Sequence, residues 1–234
     1  MKQFGKLAVL GAVLAAAAPF ASATTVNGTF WNSTVSGIVP CSPPDNGVCT
    51  GTQGAIPSVI PSAGSATQTF TVSNSNPNLF DFYLSGATLD NSLGSFLANG
   101  FSGPNGDVVS SLGANASQNI NDGLFMFTGT TFLTAGQVLS ITDDDGVLLY
   151  LGSTLVINEG QPQSDNPTQP SWTYTVTNAT AGAQNFTLYY AETNGAPAQL
   201  KADLGLAPEP NSLMLLGTGL VSAAGMIFRK RATA

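Results

Sequence analysis

The 234-residue sequence has no histidine, only two cysteines and few charges, with Lys, Arg, Asp and Glu together making up 8% of the chain. Without histidine it has no side chain that ordinarily titrates near neutral pH and no imidazole to ligate a metal. No nucleophile motif is present either, and charged groups that tune a catalytic pKa are scarce, which argues against an enzyme. Cations are the scarcest charge. Five of the six stand at the ends, as Lys2, Lys6, Arg229, Lys230 and Arg231, and the body from residue 24 to 207 keeps only Lys201. Against twelve acids in the same span this gives a formal net charge of −11. Nucleic acid is excluded as a partner, because phosphate binding needs the missing Lys and Arg. The carboxylates are left free to bind cations. There is no long amphipathic helical pattern and no repeat of fixed period.

The two ends are built differently from the body. Lys2 and Lys6 precede an apolar stretch from Leu7 to Ala18, and Ala21-Ser22-Ala23 supplies small residues for signal-peptidase cleavage, so residues 1–23 read as a signal peptide. At the other end, Pro208-Glu209-Pro210 is followed by an apolar run from Leu213 to Phe228 and then by Arg229-Lys230-Arg231. As a helix that run covers about 24 Å, a little short of a bilayer core of about 30 Å, and the basic cluster suits the cytoplasmic surface. These three parts, in this order, resemble the PEP-CTERM sorting tail of exported bacterial proteins. The resemblance implies that residues 207–234 form a sorting tail with a transmembrane helix at 213–228, recognised by an exosortase and cut near Pro208, Glu209 and Pro210. An ordinary tail anchor is the alternative. On the sorting-tail reading the protein is expected to cross the inner membrane, to be held there transiently, and to end at the cell surface or outside it.

In an exported chain, Cys41 and Cys49, placed around Pro43-Pro44-Asp45-Asn46-Gly47, read as a disulfide closing a small surface loop. A metal pair is the weaker reading. Residues 24–65 are rich in Gly, Pro, Ser and Thr, with one strand expected at Thr29 to Val35. Alternation of apolar with polar residues, or short runs set between Gly, Asp and Ser turns, then marks strands at Thr67 to Val72, Leu79 to Leu84, Leu124 to Thr128, Gln137 to Ile141, Val147 to Leu151, Thr154 to Ile157, Trp172 to Thr177 and Phe186 to Ala191. Val147 to Leu151 is apolar throughout, as a strand covered on both faces would be, and Gly152-Ser153 suits a two-residue hairpin. The stretch from Ser85 to Asp122 yields no firm element. The fold class is all-β, an antiparallel β-sandwich over residues 24–206, clearest at 123–204.

Between two of these strands stands Asp143-Asp144-Asp145-Gly146. Three neighbouring carboxylates repel one another, a cost that a bound hard cation removes, and calcium takes such oxygen ligands. A solvated acidic turn is the competing reading, since Asp is a good turn residue. The run from Phe132 to Leu204 resembles the protective-antigen-type, lectin-like β-sandwich of bacterial toxins, glycosidase modules and flocculin adhesins, through Asp144-Asp145-Gly146 and, later, the aromatic strand Leu188 to Glu192. That resemblance implies calcium at Asp144 and Asp145, holding sugar hydroxyls, with Asp143 beside the site or merely exposed. Glu159 and Asp165 either approach the cluster or face water, and water is favoured. Trp31, Trp172 and Tyr189 are candidate sugar platforms, of which Trp172 reads as core and Tyr189 as the exposed ring. The sequons at Asn27, Asn32, Asn115, Asn178 and Asn185 carry little information. Three functions remain: a surface or matrix protein binding calcium and polysaccharide, a ligand-free structural component of matrix or envelope, and, least favoured, a glycosidase using two carboxylates.

Overall fold

Large apolar side chains at every second position leave the chain one economical solution, strands that turn one face inward. In the computed structural model these form β1 (Val26–Trp31), β2 (Gln68–Ser73), β3 (Leu79–Leu84), β4 (Asn99–Gly100), β5 (Gly103–Pro104), β6 (Val108–Ser110), β7 (Gly123–Leu133), β8 (Val138–Asp144), β9 (Gly146–Leu151), β10 (Thr154–Glu159), β11 (Trp172–Thr175), β12 (Gly182–Glu192) and β13 (Ala198–Asp203). The structure describes residues 26–41, 49, 52–73, 79–85, 91–100, 103–104, 108–162, 172–193 and 195–204, all within the compact unit Ala23–Leu206. The signal peptide expected at 1–23, the sorting tail at 207–234 and Asp165 lie outside the described residues. Among the described residues no helix is long and apolar enough to cross a membrane.

Seven strands form one sheet in the order β10-β9-β12-β7-β1-β2-β6, and four form a second in the order β11-β8-β13-β3. Every pairing between them is antiparallel. The core lies between the two inward faces: Phe30, Phe125, Phe127, Leu188 and Tyr190 from the large sheet meet Phe82, Leu139, Ile141 and Leu200 from the small one. Phe82 stacks on Phe127 across the layers, with ring centroids 5.7 Å apart. The antiparallel sandwich expected from the alternation is therefore the fold.

Several elements differ in extent from the sequence reading. The first strand runs from Val26 to Trp31 rather than from Thr29 to Val35, because Asn32 stops it. The Asn32 Oδ1 atom accepts from Thr34 N at 3.2 Å and from Thr34 Oγ1 at 2.7 Å, closing a turn. β7 and β12 are eleven residues each, and their long mutual register from Gly182↔Leu133 to Glu192↔Gly123 makes them the spine of the large sheet. β11 ends at Thr175, where Thr177 N donates to Thr180 Oγ1 at 3.0 Å and turns the chain. β13, unmarked in the sequence reading, carries the inward pair Leu200 and Ala202 between exposed Lys201 and Asp203. The uninformative stretch contains a short helix, α1 (Leu93–Ala98), whose N-cap Ser92 accepts from Ser95 N at 3.2 Å and which buries Leu93, Phe96 and Leu97.

The hairpin at Gly152-Ser153 is present, with Gly152 at φ 58° and Leu151 opposite Thr154. β9 is buried on the face of Val147, Leu149 and Leu151 and half-buried on the face of Leu148 and Tyr150. Cys41 and Cys49 are joined in a disulfide.

Candidate functional site

β8 and β9 leave their respective sheets at the same end of the sandwich, and the Asp run is the crossing between them. Asp143 and Asp144 are the last residues of β8, and Asp145 alone separates them from β9. The run is not a solvated turn: Asp143, Asp144 and Asp145 are 8%, 6% and 4% exposed.

Strand alternation sends the first two acids to opposite faces. Asp143 keeps the inward phase of Leu139 and Ile141 and stands opposite Leu200. Asp144 takes the other face, opposite the buried Gln199. Asp144 and Asp145 are joined by a cis peptide bond. Asp145 then enters the large sheet, its N–H donating to Ala191 O at 3.3 Å. Its Oδ2 atom accepts from Thr193 N at 2.7 Å and also from the Thr193 hydroxyl. The Asp144 side chain is a hydrogen-bond partner of the Asp145 carboxyl, so these two groups meet, and the charge of Asp145 also acts on Asp143.

The end of β12 closes the other side. Its inward phase, Phe186, Leu188 and Tyr190, continues into Glu192, which is 1% exposed. The Tyr190 hydroxyl donates to Glu192 Oε2 at 2.8 Å and lies against the Asp144 carbonyl, while Glu192 Oε1 accepts from Gly195 N at 2.7 Å. Burial is the first cause of every shift in this cluster. It pushes Asp143 from 3.8 up to about 8, with Asp145 and Glu159 adding to the rise and Trp172 opposing it. It pushes Asp145 up to about 6 against the lowering effect of the Thr193 donors and Asp144, with Asp122 adding to it. Glu192 is raised well above the ordinary range by burial and by Asp145 and Asp144. Burial therefore makes these acids hold protons more tightly than free carboxyls do, and a bound cation would compete with those protons.

The donor chemistry suits a hard cation, since the meeting groups of Asp144 and Asp145 offer oxygen alone. The body's only Lys, Lys201, is exposed at a register position opposite Thr142, on the far side of β13 from Leu200. Among the described residues no group of three or more acidic side chains converges as a ready-made metal cage.

The remaining candidates divide. Glu159, the last residue of β10, is half-buried and acts electrostatically on Asp143, so it approaches the cluster rather than facing water alone. Trp31 is no sugar platform: it is fully buried beneath the N-terminal segment, with Nε1 donating to Ser62 O at 3.1 Å. Trp172 is half-buried and packs against the core, as expected. Tyr189 is half-buried and meets Tyr150 edge to face at 6.1 Å. The sequence reading placed Tyr190 and Glu192 in the aromatic strand Leu188 to Glu192 without giving either a role at the site, and it passed over Thr193. An acid continuing the inward phase of an aromatic strand was the available signal for Glu192. Nothing local marked Thr193.

No family model and no curated protein matches the chain. Among solved structures it is similar to the PA14 domain of an antifreeze protein, MpAFP, at 16% identity over 81% of this chain and 88% of that one, with a TM-score of 0.45. It is similar to a PA14 sugar-binding domain from an RTX adhesin at 17% identity, over 77% and 89% of the two chains, with a TM-score of 0.43. It is also similar to a β-glucosidase from Kluyveromyces marxianus at 14% identity, over 83% of this chain and 17% of that one, with a TM-score of 0.37.

Proposed function

We propose that this is an exported, non-catalytic surface or extracellular-matrix protein whose lectin-like sandwich binds calcium at Asp144 and Asp145 and, through the ion, hydroxyl groups of a polysaccharide. The observation that carries the reading is the meeting of two buried carboxyls in a body of net charge −11 with one exposed Lys. Buried charge without a counter-charge is unstable, and a hard cation is the partner this oxygen set selects. Calcium supplies the positive charge that lets both groups ionise and offers open positions to vicinal hydroxyls. The chain's own part is to hold Asp145 from Thr193 and to keep Asp144 beside it. Export rests on the leader at 1–23, and sorting by an exosortase on Pro208-Glu209-Pro210, the apolar run and Arg229-Lys230-Arg231.

A ligand-free structural matrix component is the second reading, favoured by the raised pKa values, which allow the acids to stay buried as neutral carboxyls. Thermal melts of the full chain in millimolar calcium and in chelator separate the two. The calcium reading expects a rise in melting temperature that disappears in Asp144→Ala and Asp145→Ala, and binding on a glycan panel that chelator reverses. Identical melts with and without calcium would leave the structural reading.

A further inference from the structure

The large sheet has two faces of different chemistry. Its strands carry only two charged residues, Glu159 and Glu192, and both stand on the inward face, Glu159 opposite Val147 and Glu192 in phase with Tyr190. The outward face is therefore uncharged. At one end it is covered, since Ile38, Ile56 and Ile60 pack with Trp31, Leu124 and Ala191. Beyond that cover it is open: Asn27, Thr130 and Asn185 are exposed, and Leu155, opposite Tyr150 in register, is 39% exposed. On this open part Tyr150 and Tyr189, diagonal neighbours on β9 and β12, meet edge to face with ring centroids 6.1 Å apart and planes at 89°. Both rings are half-buried. From Tyr150 a row of paired positions crosses four more strands, through Thr187 on β12, Thr128 on β7, Asn27 on β1 and Thr71 on β2. With neighbouring strands about 4.8 Å apart, the row is about 19 Å long.

Two rings at right angles form a corner, in which a flat ring stacked on one tyrosine meets the other along its edge. The Thr hydroxyls and the Asn amide beside them donate and accept hydrogen bonds without carrying charge. An anionic polymer gains nothing from a face without cations, and a purely apolar partner would strip water from the Thr and Asn groups without replacing its hydrogen bonds. A pyranose satisfies both halves of the surface, because its faces are C–H and its rim is hydroxyl. Equatorial 1,4 links keep successive pyranoses in a straight ribbon, which is the shape of the row. We propose that Tyr150 and Tyr189, with Thr187, Thr128 and Asn27, bind a neutral β-1,4-linked polysaccharide on the outward face of the large sheet, with no ion taking part. This position is separate from Asp144 and Asp145 and stands whether or not those residues hold calcium.

Native electrophoresis of the full chain in chelator, through gels containing hydroxyethylcellulose, soluble xylan or polygalacturonate, gives the test. The wild type should be slowed by at least one of the two neutral polymers and not by the anionic one. Tyr150→Ala and Tyr189→Ala should each weaken that binding about tenfold, while Tyr189→Phe, which keeps the ring, should stay within about twofold of wild type. Neither Ala variant should alter whatever calcium-dependent rise in melting temperature the wild type shows, so failure here and failure at the Asp144 and Asp145 pair are read apart. No slowing of the wild type in chelator, slowing by polygalacturonate alone, or equal slowing of the wild type and both Ala variants overturns the proposal. So does slowing that appears only when calcium is added, which would assign the sugar to the ion instead. Circular dichroism checks that the sheets are kept, and the two Ala variants report independently should one fail to fold.

Discussion

Thr193 is the residue on which the Asp145 geometry turns. It gives Asp145 both a backbone and a hydroxyl donor, and its own side chain is 3% exposed. Thr193→Val keeps the shape and removes one donor from a buried acceptor, so it should lose about 1–3 kcal/mol in urea unfolding at neutral pH, while Thr193→Ser should stay within about 1 kcal/mol of wild type. Equal stability of the Val variant and wild type would mean that the hydroxyl contributes nothing there. Gly28 makes a different demand on its neighbours. A Cβ there would stand 2.2 Å from Phe70 Cε2, and that ring is held edge-on against Phe127 at 6.0 Å. Gly28→Ala therefore forces the core to shift and should cost about 1–3 kcal/mol, read as a lowered melting temperature. A melt no lower than wild type would show that the Phe70 ring moves freely.

At the scale of elements, the disulfide closes a segment with a sequence separation of 8. Loop entropy for so short a closure is about 2.5 kcal/mol, so a Cys41→Ser, Cys49→Ser double variant should lose at most roughly that amount and keep the far-ultraviolet spectrum of the sheets. Loss of the sheet spectrum would mean that the bridged segment is needed for the sandwich to form. The same scale decides how much was legible beforehand. β3 was read with its observed bounds and β9 to within one residue, because Phe80, Phe82 and Leu84 alternate cleanly and a Gly-Ser turn ends the apolar run of β9. β13 was missed because its inward residues are Ala198, Leu200 and Ala202, and two alanines give a weak alternating signal. α1 was missed because six residues are too few to show a helical period. The Asp run was visible as chemistry but not as geometry. Its burial, and the divergence of Asp143 from Asp144, follow from where the chain crosses from β8 in one sheet to β9 in the other, and Thr193 reaches Asp145 across 48 residues of sequence. The ends, Cys loop aside, were read from sequence order alone.

For the whole molecule, the buried acids make stability a function of pH with a definite sign. An acid whose folded pKa lies above its unfolded value binds more protons when folded, so stability falls as pH rises through the interval between the two. For Asp145 that interval runs from 3.8 to about 6, and for Asp143 from 3.8 to about 8. Full ionisation of Asp143 alone costs on the order of 5 kcal/mol. In chelator the protein should thus melt higher at pH 5 than at pH 8, and Asp143→Asn should flatten part of that slope. Calcium inverts the reasoning, because an ion competes with the protons and binds best when the carboxyls have lost them. Its effect on the melting temperature should be small at pH 5 and large at pH 8, so that the slope seen in chelator shrinks or reverses. A chelator melt that rises from pH 5 to pH 8 would show that the acids ionise without cost, and the case for cations in this end of the sandwich would lose its physical basis.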